Sequence, residues 1–492
     1  MNKVKKFDVV IIGAGVIGSM VARELSRYKL SVAVLEKEVD VGMGQSSSNS
    51  AIIHSGHDPE PGTMKARMNV RGNELWYKIV PELDIPLEKT GALIVAVGPE
   101  EQAGLYPLLE QGQKNGVSGL EILSREDVLS LEPHLTGDVT GALSTPTAGI
   151  VDAFQGVLGP AENAAMNGVE FILNAEVQGV VVEDGTLKAV ETSQGPVEAT
   201  WFINAAGIHS DEILHMVGDH PDFHISARRG EYFVFDSSAF RVSNVIFPMP
   251  SEKGKGILVT TTTHGNTMIG PNSNVIEDKE DHSVTESGMS EILDGARRLV
   301  PMISPRHVIS TFAGLRATGN YKPPGHGKDF LLEVSKSVKG LITLAGVESP
   351  GYVSAPAIAE YVAEMLRGEG VVLEEKPDWN PKRSRIPRFK DMSHDERKEI
   401  IRENPAYGRI VCRCEEVTEG EVLQAIHSPI PATTYDAIKR RTWLGTGRCQ
   451  GSFDYPRTME ILARELGMSM TEITKKGPGS VFLYRRTKEG VV

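Results

Sequence analysis

The three cysteines of the chain, all near its carboxyl end, have the side chain best suited to soft metals. Cys412 and Cys414 are separated by one residue, and Cys449 follows after 34 more residues. Disulfide frameworks are typical of small secreted proteins with many cysteines, whereas closely spaced thiols in a large chain are typical of metal ligands. The spacing therefore favours metal binding over a disulfide framework.

A second group of residues could bind a dinucleotide. Residues 13–18, Gly-Ala-Gly-Val-Ile-Gly, directly follow an apolar strand pattern and open a helical pattern. Glycines at these spacings allow a tight turn, a close approach to a pyrophosphate and helix-on-strand packing, while the helix N-terminus offers N–H groups to the anion. Glu36 ends the second strand pattern, where a carboxylate binds the adenosine ribose. These residues predict NAD or FAD, which share the motif.

Two later segments favour FAD. Residues 204–207, Asn-Ala-Ala-Gly, close an apolar strand pattern with small residues, so the chain can pass close to a ligand. Residues 346–352 also follow a strand pattern and lead into a helical pattern over 355–366. The N-terminus of that helix could face the flavin pyrimidine ring, where negative charge gathers on reduction. The alternative is that both segments are ordinary glycine-capped turns.

The elements that must position these residues alternate along the first 370 residues. Short apolar runs such as 7–12, 31–35 and 341–345 are separated by helical patterns, which is typical of a layered α/β domain with a largely parallel sheet. Residues 231–235 and 256–270 alternate like antiparallel strands. The predicted fold class is α/β: a Rossmann-like FAD-binding domain with an inserted mixed-sheet substrate domain, then a small α-rich metal-binding domain.

The predicted domain boundaries follow the changes in composition. The FAD-binding domain is discontinuous, and the substrate-binding domain interrupts it twice. Residues 376–404 contain prolines and basic side chains with few apolar residues, which indicates an extended basic linker. The ranges are 1–80, 141–215 and 311–375 for the FAD-binding domain, 81–140 and 216–310 for the substrate-binding domain, and 405–492 for the cysteine-containing domain.

The composition argues against several classes of protein. The 492 residues include 52 basic and 65 acidic side chains, a net charge of −13, which disfavours a general binder of nucleic acid or anionic membranes. No apolar run approaches the roughly 18 residues that span a bilayer, and the apolar start over 7–18 is a strand and glycine turn rather than a signal peptide. We expect a cytoplasmic protein with no membrane span and no nucleic-acid partner.

Residues 13–18, Glu36 and 47–56 together resemble the FAD-dependent oxidoreductases of the D-amino-acid-oxidase superfamily. Two branches are similar: the glycerol-3-phosphate dehydrogenases and oxidases, and the L-2-hydroxyglutarate dehydrogenases. Residues 61–67 are similar to the hydroxyglutarate branch, whereas 229–232, together with segments at 247–248, 264–266 and 270–271, recur in both. The resemblance covers about residues 5–370 and specifies cofactor and fold far better than substrate.

The resemblance implies an extended FAD, with the substrate above the isoalloxazine ring under an antiparallel sheet. His54 matches the histidine that relatives use as the base for hydroxyl oxidation, and a neutral imidazole can take that proton near neutral pH. Arg316 matches the arginine that binds the anionic group of the substrate, where a guanidinium can make a bidentate contact. His264 completes the candidate catalytic set, and Lys255 could line the same cavity. The alternatives are a His54 that merely packs against the flavin and an Arg316 paired in solvent.

The resemblance also implies a set of FAD contacts along the whole domain. The candidate FAD contacts are Gly13, Gly15, Val16, Ile17, Gly18, Glu36, Lys37, Ser48, Asn49, Ser50, Val177, Ala206, Gly207, Gly314, Gly346, Ser349, Gly351, Tyr352 and Val353.

Arg228 and Arg229 are neighbours on a strand pattern, so at most one of them can point into the cavity.

The segments 411–418 and 447–451 resemble a bacterioferritin-associated-ferredoxin-type [2Fe-2S] domain, which implies that Cys412, Cys414 and Cys449 are cluster ligands. The family has a fourth cysteine where this chain has Asp454. Three interpretations stay open: Asp454 is the fourth ligand, the thiolates hold a single metal such as zinc, or the metal has been lost. Basic side chains are expected to offset the cluster's negative charge, namely Lys439, Arg440, Arg441 and Arg448.

The leading hypothesis is an FAD-dependent dehydrogenase for a small anionic secondary alcohol. The first candidate reaction is oxidation of sn-glycerol 3-phosphate to dihydroxyacetone phosphate, and the second is oxidation of L-2-hydroxyglutarate. The electrons would pass through the C-terminal domain to an acceptor protein or quinone. An oligomer, or a complex with other flavoprotein or ferredoxin-like subunits, is also compatible with this hypothesis. An amine or amino-acid oxidase, and an electron-transfer subunit of a larger complex, are the alternatives.

Overall fold

The computed structural model describes residues 4–250 and 256–488. Its helices, in chain order, are α1 (Val16–Leu25), α2 (Met64–Leu83), α3 (Pro99–Lys114), α4 (Arg125–Leu131), α5 (Gln155–Met166), α6 (Ser210–Val217), α7 (Glu286–Leu299), α8 (Gly351–Gly368), α9 (His394–Glu403), α10 (Glu419–Ile426), α11 (Tyr435–Thr442) and α12 (Tyr455–Leu466).

The strands of the described residues fall into two large sheets, a small three-stranded sheet and a two-stranded hairpin. In chain order they are β1 (Lys5–Ile12), β2 (Val32–Leu35), β3 (Ile52–Ile53), β4 (Leu87–Glu88), β5 (Ala92–Val97), β6 (Glu121–Ser124), β7 (Val139–Thr145), β8 (Gly149–Val151), β9 (Glu170–Ile172), β10 (Val177–Glu183), β11 (Thr186–Thr192), β12 (Gly195–Asn204), β13 (Ile225–Phe235), β14 (Val245–Pro248), β15 (Leu258–Thr261), β16 (Thr267–Gly270), β17 (Asn274–Ile276), β18 (Val308–Gly319), β19 (Leu331–Val334), β20 (Leu341–Ala345), β21 (Ile410–Cys412) and β22 (Val417–Thr418).

The first large sheet has a parallel centre. Strand β1 lies between β12 and β2 and runs parallel to both, β9 extends the sheet beyond β2, and β20 joins β12 in parallel. Strands β10, β11 and β19 add antiparallel pairs at the margins. The inner half of β1 is fully apolar and buried, as expected for a parallel strand covered on both faces. The α/β prediction is confirmed.

Helices α1, α5 and α8 pack together over one face of this sheet. Helix α2 packs on α8 so closely that a Cβ at Gly72 would lie 2.1 Å from the Val353 carbonyl oxygen. Glycine is therefore required at that crossing, since an added methyl would overlap the backbone of α8. The close approach fixes the start of α8 relative to α2.

The second large sheet is mixed, as the sequence predicts. Its strand order is β17-β13-β16-β15-β14-β5-β7-β6, with β18 also paired to β13. Only β14 and β5 run parallel; the other pairs are antiparallel. The domain division stays a prediction, and two segments differ from it. Residues 141–145 of β7 and the part of β18 beyond residue 311 belong to this sheet rather than to the first.

The small C-terminal unit is α-rich, as predicted. Helices α10, α11 and α12 surround a core that includes Ile438, Leu444, Ile461 and Leu462, and strands β21 and β22 form a short hairpin at its edge. Helix α10 begins with a capping box in which Thr418 and Glu421 satisfy each other's backbone N–H groups. The turns that hold the cysteines therefore rest on a packed helical base.

Buried ion pairs fasten the C-terminal unit to the first domain. Arg440 and Arg441 both donate to Asp40, at 2.6 and 2.8 Å, and Asp40 follows strand β2 in a fully buried position. Burial would raise the pKa of Asp40, but the two guanidinium groups outweigh it and hold that pKa below its ordinary value. The predicted basic linker is likewise packed at Arg383, which bonds Glu162 and Gln155, and helix α9 occupies its end.

Within the described residues, no helix combines the length and the apolar character that crossing a bilayer requires.

Candidate active site

A cavity of about 960 Å³ runs between the two large sheets. Its wall begins at the glycine turn after β1, continues along the loop of residues 43–54, and ends at β13, β18 and the start of α8. The long, continuous shape suits an extended ligand that contacts several elements in turn.

The glycine-turn end of the cavity fits a dinucleotide. Gly13 has φ +105°, and a Cβ there would lie 2.5 Å from the Ala205 carbonyl oxygen, so the turn needs glycine. The Glu36 carboxylate accepts the Ala14 and Glu38 backbone N–H groups, at 2.8 and 3.0 Å, and burial raises its pKa. This carboxylate is thus fixed at the cavity wall, in the position that the ribose of a dinucleotide requires.

The opposite end of the cavity has the features of a flavin site. A Cβ at Gly314 would lie 1.8 Å from the Ser48 carbonyl oxygen. The backbone of β18 therefore packs directly on the backbone of the 43–54 loop, with no side chain between them. Helix α8 begins at Gly351 on the cavity wall and is 18 residues long. Its N-terminal N–H groups carry partial positive charge, which suits the electron-rich edge of a flavin. The residues present therefore fit FAD along the whole cavity.

The structure places nearly all of the predicted FAD contacts on the cavity wall, and their role stays a prediction. The two exceptions are Gly18 and Gly346, which are not part of the wall. A Cβ at Gly18 would lie 1.9 Å from the Gly13 carbonyl oxygen, so this glycine serves helix-on-strand packing. Gly346 has φ +64° and packs against the Cα of Gly319. Both shape the backbone beneath the cavity.

Gly314→Ala is expected to weaken FAD binding. The added methyl would have to displace the Ser48 backbone, and overpacking of this kind costs about 1–3 kcal/mol, or roughly 5- to 150-fold in Kd. Titration of the apoprotein with FAD, followed by flavin fluorescence, measures the change. Gly137→Ala is the matched control, because Gly137 is exposed and no atom lies within 4 Å of its added Cβ. An unchanged Kd in Gly314→Ala would show that β18 can retreat from the loop without cost.

His54 follows β3 and lines the cavity. Its backbone carbonyl accepts hydrogen bonds from the side chains of Asn69 and Asn73, at 2.8 and 3.1 Å, and both asparagines are buried on α2. The imidazole lies 5.7 Å from the ring of Phe247, between centroids. The segment that carries this histidine is therefore held in place from the backbone side, with the ring directed at the cavity.

Arg316 and Arg228 lie directly opposite each other on β18 and β13, and both line the cavity. Arg229, the next residue on β13, points away and pairs with Asp281 at 2.6 Å. Within the residues that the structure describes, neither cavity arginine forms an ion pair with a carboxylate. Burial lowers the pKa of Arg316, although a guanidinium stays charged at neutral pH. Two cations without an ion-pair partner among the described residues thus converge on one part of the cavity, and the Glu348 carboxylate is close enough to attract both.

Two further cavity groups escape the sequence analysis. Tyr232 is buried on β13, and burial raises the pKa of its phenol, so it is a neutral hydrogen-bond donor at the cavity. Burial also acts to raise the pKa of Glu348, but Lys65 at 3.0 Å and Thr318 at 2.6 Å outweigh it and keep the carboxylate ionised. Only the strand alternation at 228–232 hints at these positions, because the segment after β20 shows no periodicity.

His264 does not line this cavity, and its catalytic role stays a prediction. Its side chain is 7 % exposed and lies in the turn between β15 and β16. Its Nε2 and Nδ1 atoms bond Asp152 at 3.1 Å and Arg388 at 2.7 Å, and its ring lies 3.8 Å from that of Trp443, between centroids. Because Arg388 can only donate, Nδ1 accepts its hydrogen bond, and the side chain of His264 links Asp152 to Arg388. Lys255 lies outside the described residues.

The three cysteines come together at the edge of the C-terminal unit. The Sγ atoms of Cys412 and Cys414 lie 3.8 Å apart, and those of Cys414 and Cys449 lie 3.4 Å apart. Burial raises the pKa of Cys412 well above its ordinary value in the metal-free thiol. Among the described residues no three His, Cys, Asp or Glu side chains enclose a single metal ion, but a binuclear cluster spreads its four ligands over two irons and needs no such enclosure. The thiols therefore fit a cluster.

The basic residues predicted to offset the cluster's charge are engaged elsewhere. Arg440 and Arg441 bind Asp40, and Arg448 binds Asp236. Burial lowers the pKa of Lys439. Three of the four cations therefore form ion pairs that dock the unit on the other domains.

Comparison with known proteins identifies two matching families. Residues 8–365 match the family described as FAD dependent oxidoreductase, and residues 410–464 match the family described as BFD-like [2Fe-2S] binding domain. The first match includes the cavity, and the second includes all three cysteines and Asp454. The predicted pairing of an FAD domain with a ferredoxin-like domain is confirmed.

Named relatives show the same two branches that the sequence resembles. A glycerol 3-phosphate dehydrogenase of Caloramator mitchellensis is 43% identical over 99% of this chain and 100% of its own length. An L-2-hydroxyglutarate dehydrogenase of Arabidopsis thaliana is 32% identical, over 73% of this chain and 83% of its own. The solved L-alpha-glycerophosphate oxidase of Mycoplasma pneumoniae with FAD bound is 30% identical, covers 77% of this chain and 99% of its own, and superimposes with a TM-score of 0.73.

Proposed function

Because the chain belongs to the FAD dependent oxidoreductase family, we propose that it oxidises sn-glycerol 3-phosphate to dihydroxyacetone phosphate. FAD is its cofactor, and a CH–OH group is its electron donor. A relative named for this substrate is similar over the full length, including the C-terminal unit. The substrate is thus proposed on similarity and on the charge of the cavity together.

The arginine pair on β13 and β18 carries the proposal. A phosphate monoester has close to two negative charges at neutral pH, and two guanidinium groups on neighbouring strands can bind its oxygens at once. Arg228 and Arg316 are so placed, and no carboxylate of the described residues neutralises either of them by an ion pair. The ionised Glu348 at the same wall is compensated by Lys65. The site therefore attracts a compact dianion.

The residues of the chain would divide the reaction between them. Bound FAD supplies the hydride acceptor. Arg228 and Arg316 would hold the phosphate and so fix the carbinol carbon relative to the cavity floor, which converts binding energy into orientation. His54 would take the hydroxyl proton as a general base, and Tyr232 can donate a hydrogen bond to the substrate as a neutral phenol. Proton removal and anion binding are thus assigned to different residues of the cavity wall.

We propose further that the electrons leave through the C-terminal unit to an acceptor protein or a quinone. The support is the contact between the domains near Trp443. This side chain lies 5.0 Å from the ring of Phe154, between centroids, and Gly445, two residues on, donates its N–H to the Cys412 Sγ at 3.5 Å. Tyr352 of the cavity wall bonds the carbonyl of Ala153 at 2.8 Å. A continuous packed path therefore joins the cavity to the cysteines.

The proposal is tested by anaerobic mixing of the FAD-loaded protein with sn-glycerol 3-phosphate while the visible flavin absorbance is recorded. We expect rapid bleaching, and no comparable bleaching with glycerol, which lacks the phosphate. Bleaching by L-2-hydroxyglutarate in place of glycerol phosphate would make the chain a hydroxyglutarate dehydrogenase, and bleaching by an amino acid would make it an amine oxidase. A flavin that no small donor reduces would favour a subunit reduced by a partner protein.

A further inference from the structure

Asp454 is a buried carboxylate beside the three cysteines. It is 1 % exposed, precedes helix α12, and lies five residues after Cys449 in the chain. Its Oδ1 accepts a hydrogen bond from the Tyr435 hydroxyl at 2.6 Å. Its Oδ2 is buried and has no hydrogen-bond partner in the part of the chain that the structure describes.

An unpartnered carboxylate oxygen in a protein interior needs a physical explanation. Desolvation of such an oxygen costs about 1–3 kcal/mol or more when no donor replaces water, and native structures satisfy nearly all buried polar atoms. Lys439 is close enough to attract the Asp454 carboxylate, but no ion pair of the described residues includes Asp454, and the Cys412 thiol lies beside it. A metal ion bound by the neighbouring thiols would supply a partner for this oxygen.

The count of ligands at the site agrees with this. A [2Fe-2S] cluster takes four protein ligands, two at each iron. The Cys414 Sγ lies 3.8 Å from that of Cys412 and 3.4 Å from that of Cys449. The BFD-like domain has no fourth cysteine, since the sequence contains only three. We propose that Asp454 is the fourth ligand of the cluster, bound through Oδ2.

The surroundings of Tyr435 support a fixed orientation of this carboxylate. A Cβ at Gly445 would lie 2.1 Å from the Tyr435 hydroxyl oxygen, and one at Gly451 would lie 2.6 Å from it. Both glycines therefore leave room for the hydroxyl to reach Asp454. The phenol holds Oδ1, and the Cys412 thiol lies beside the same carboxylate, so Oδ2 is the oxygen left to bind a metal. Second-sphere donors orient carboxylate ligands in this way.

The first test measures the cluster directly in the full-length FAD-containing protein, purified without oxygen. We expect about two irons and two acid-labile sulfides per chain. Asp454→Ala should retain at least about tenfold less iron after an identical chelator challenge, since even outer-sphere changes cost that much in metal affinity. Asp436→Ala is the matched control: Asp436 lies in the same unit and pairs with Lys475 at 2.8 Å. Flavin content and circular dichroism establish that each variant is folded.

The second test identifies the ligand even where Asp454→Ala does not fold. With ⁵⁷Fe, the oxidised wild-type protein should give two unequal ferric doublets in Mössbauer spectra, because one iron has two sulfur ligands from the protein and the other has one sulfur and one oxygen. Asp454→Cys should make the two doublets alike and shift the g values of the reduced cluster in electron paramagnetic resonance. Tyr435→Phe should keep the iron but shift those g values.

Three results would overturn the proposal: wild-type iron and g values in Asp454→Ala, equal doublets in the wild-type protein, or a wild-type protein that contains zinc or no metal. None of them depends on the substrate. Flavin bleaching by glycerol phosphate tests the proposed reaction, whereas iron content and spectra of the dithionite-reduced protein test Asp454, so either proposal can fail alone.

Discussion

Replacing Arg228 or Arg316 with methionine is expected to raise the KM for sn-glycerol 3-phosphate by about 10- to 100-fold, and replacing both should abolish saturation at accessible concentrations. Each guanidinium would lose charge-assisted hydrogen bonds worth about 1.5–3 kcal/mol, and each 1.4 kcal/mol is a factor of ten. The two arginines lie opposite each other on β13 and β18, so they act on one group of the substrate. Their effects should therefore be non-additive in the double variant.

Arg229→Met is the matched control for this experiment. Arg229 is the next residue on β13, faces away from the cavity and pairs with Asp281, so its loss should change KM less than about threefold if it touches no substrate. Flavin reduction by glycerol, which has no phosphate, gives a second comparison: methionine at 228 or 316 should leave that slow rate nearly unchanged. A KM close to that of the wild type in Arg228→Met would remove the phosphate-binding role from this side chain.

The parts of the fold that sequence reasoning recovers are those encoded locally. The glycine turn at 13–18 constrains consecutive residues, and burial of β1 on both faces produces the unbroken apolar run that marks a parallel strand. Glu36, Ser48 and Tyr352 line the cavity, as predicted, because each lies in a short motif that is visible in the sequence alone. The change in composition after residue 376 also marks the C-terminal unit as a separate domain. Its helices have their own apolar core, so their sequence contains its own apolar pattern.

The parts that sequence reasoning misses depend on pairing between distant segments. Strand alternation shows that only one of Arg228 and Arg229 can enter the cavity, but the register of β13 on β18 decides which one, and it joins residues 88 positions apart. The position of His264 outside the cavity could not be predicted for the same reason. Its motif lies on a hairpin of the second sheet, yet Asp152 and Arg388, on two other segments, hold it at the domain interface. No local pattern contains that information.

His54→Gln is expected to slow flavin reduction by glycerol phosphate about 10²- to 10⁴-fold, the usual contribution of a general base, with little change in substrate affinity. Glutamine keeps much of the volume but cannot take the hydroxyl proton. Stopped-flow mixing under anaerobic conditions separates the two quantities, since the limiting rate reports the chemical step and its concentration dependence reports binding. In the wild-type protein kcat/KM should fall as the pH falls, because protonation removes the base, and that acid limb should be absent in His54→Gln.

His282→Asn is the control that decides which histidine acts, because His282 lines the same cavity and contacts the Ala313 carbonyl at 3.4 Å. If His54 is the base, His282→Asn keeps the acid limb and a limiting rate within a few-fold of the wild type. If the limb disappears in His282→Asn and persists in His54→Gln, the base is His282, and His54 merely packs beside Phe247. Deuterium at the carbinol carbon should slow flavin reduction in the wild-type protein. Such an isotope effect would show that the observed step breaks the carbinol C–H bond, which is required before either His54 or His282 can be assigned as the base.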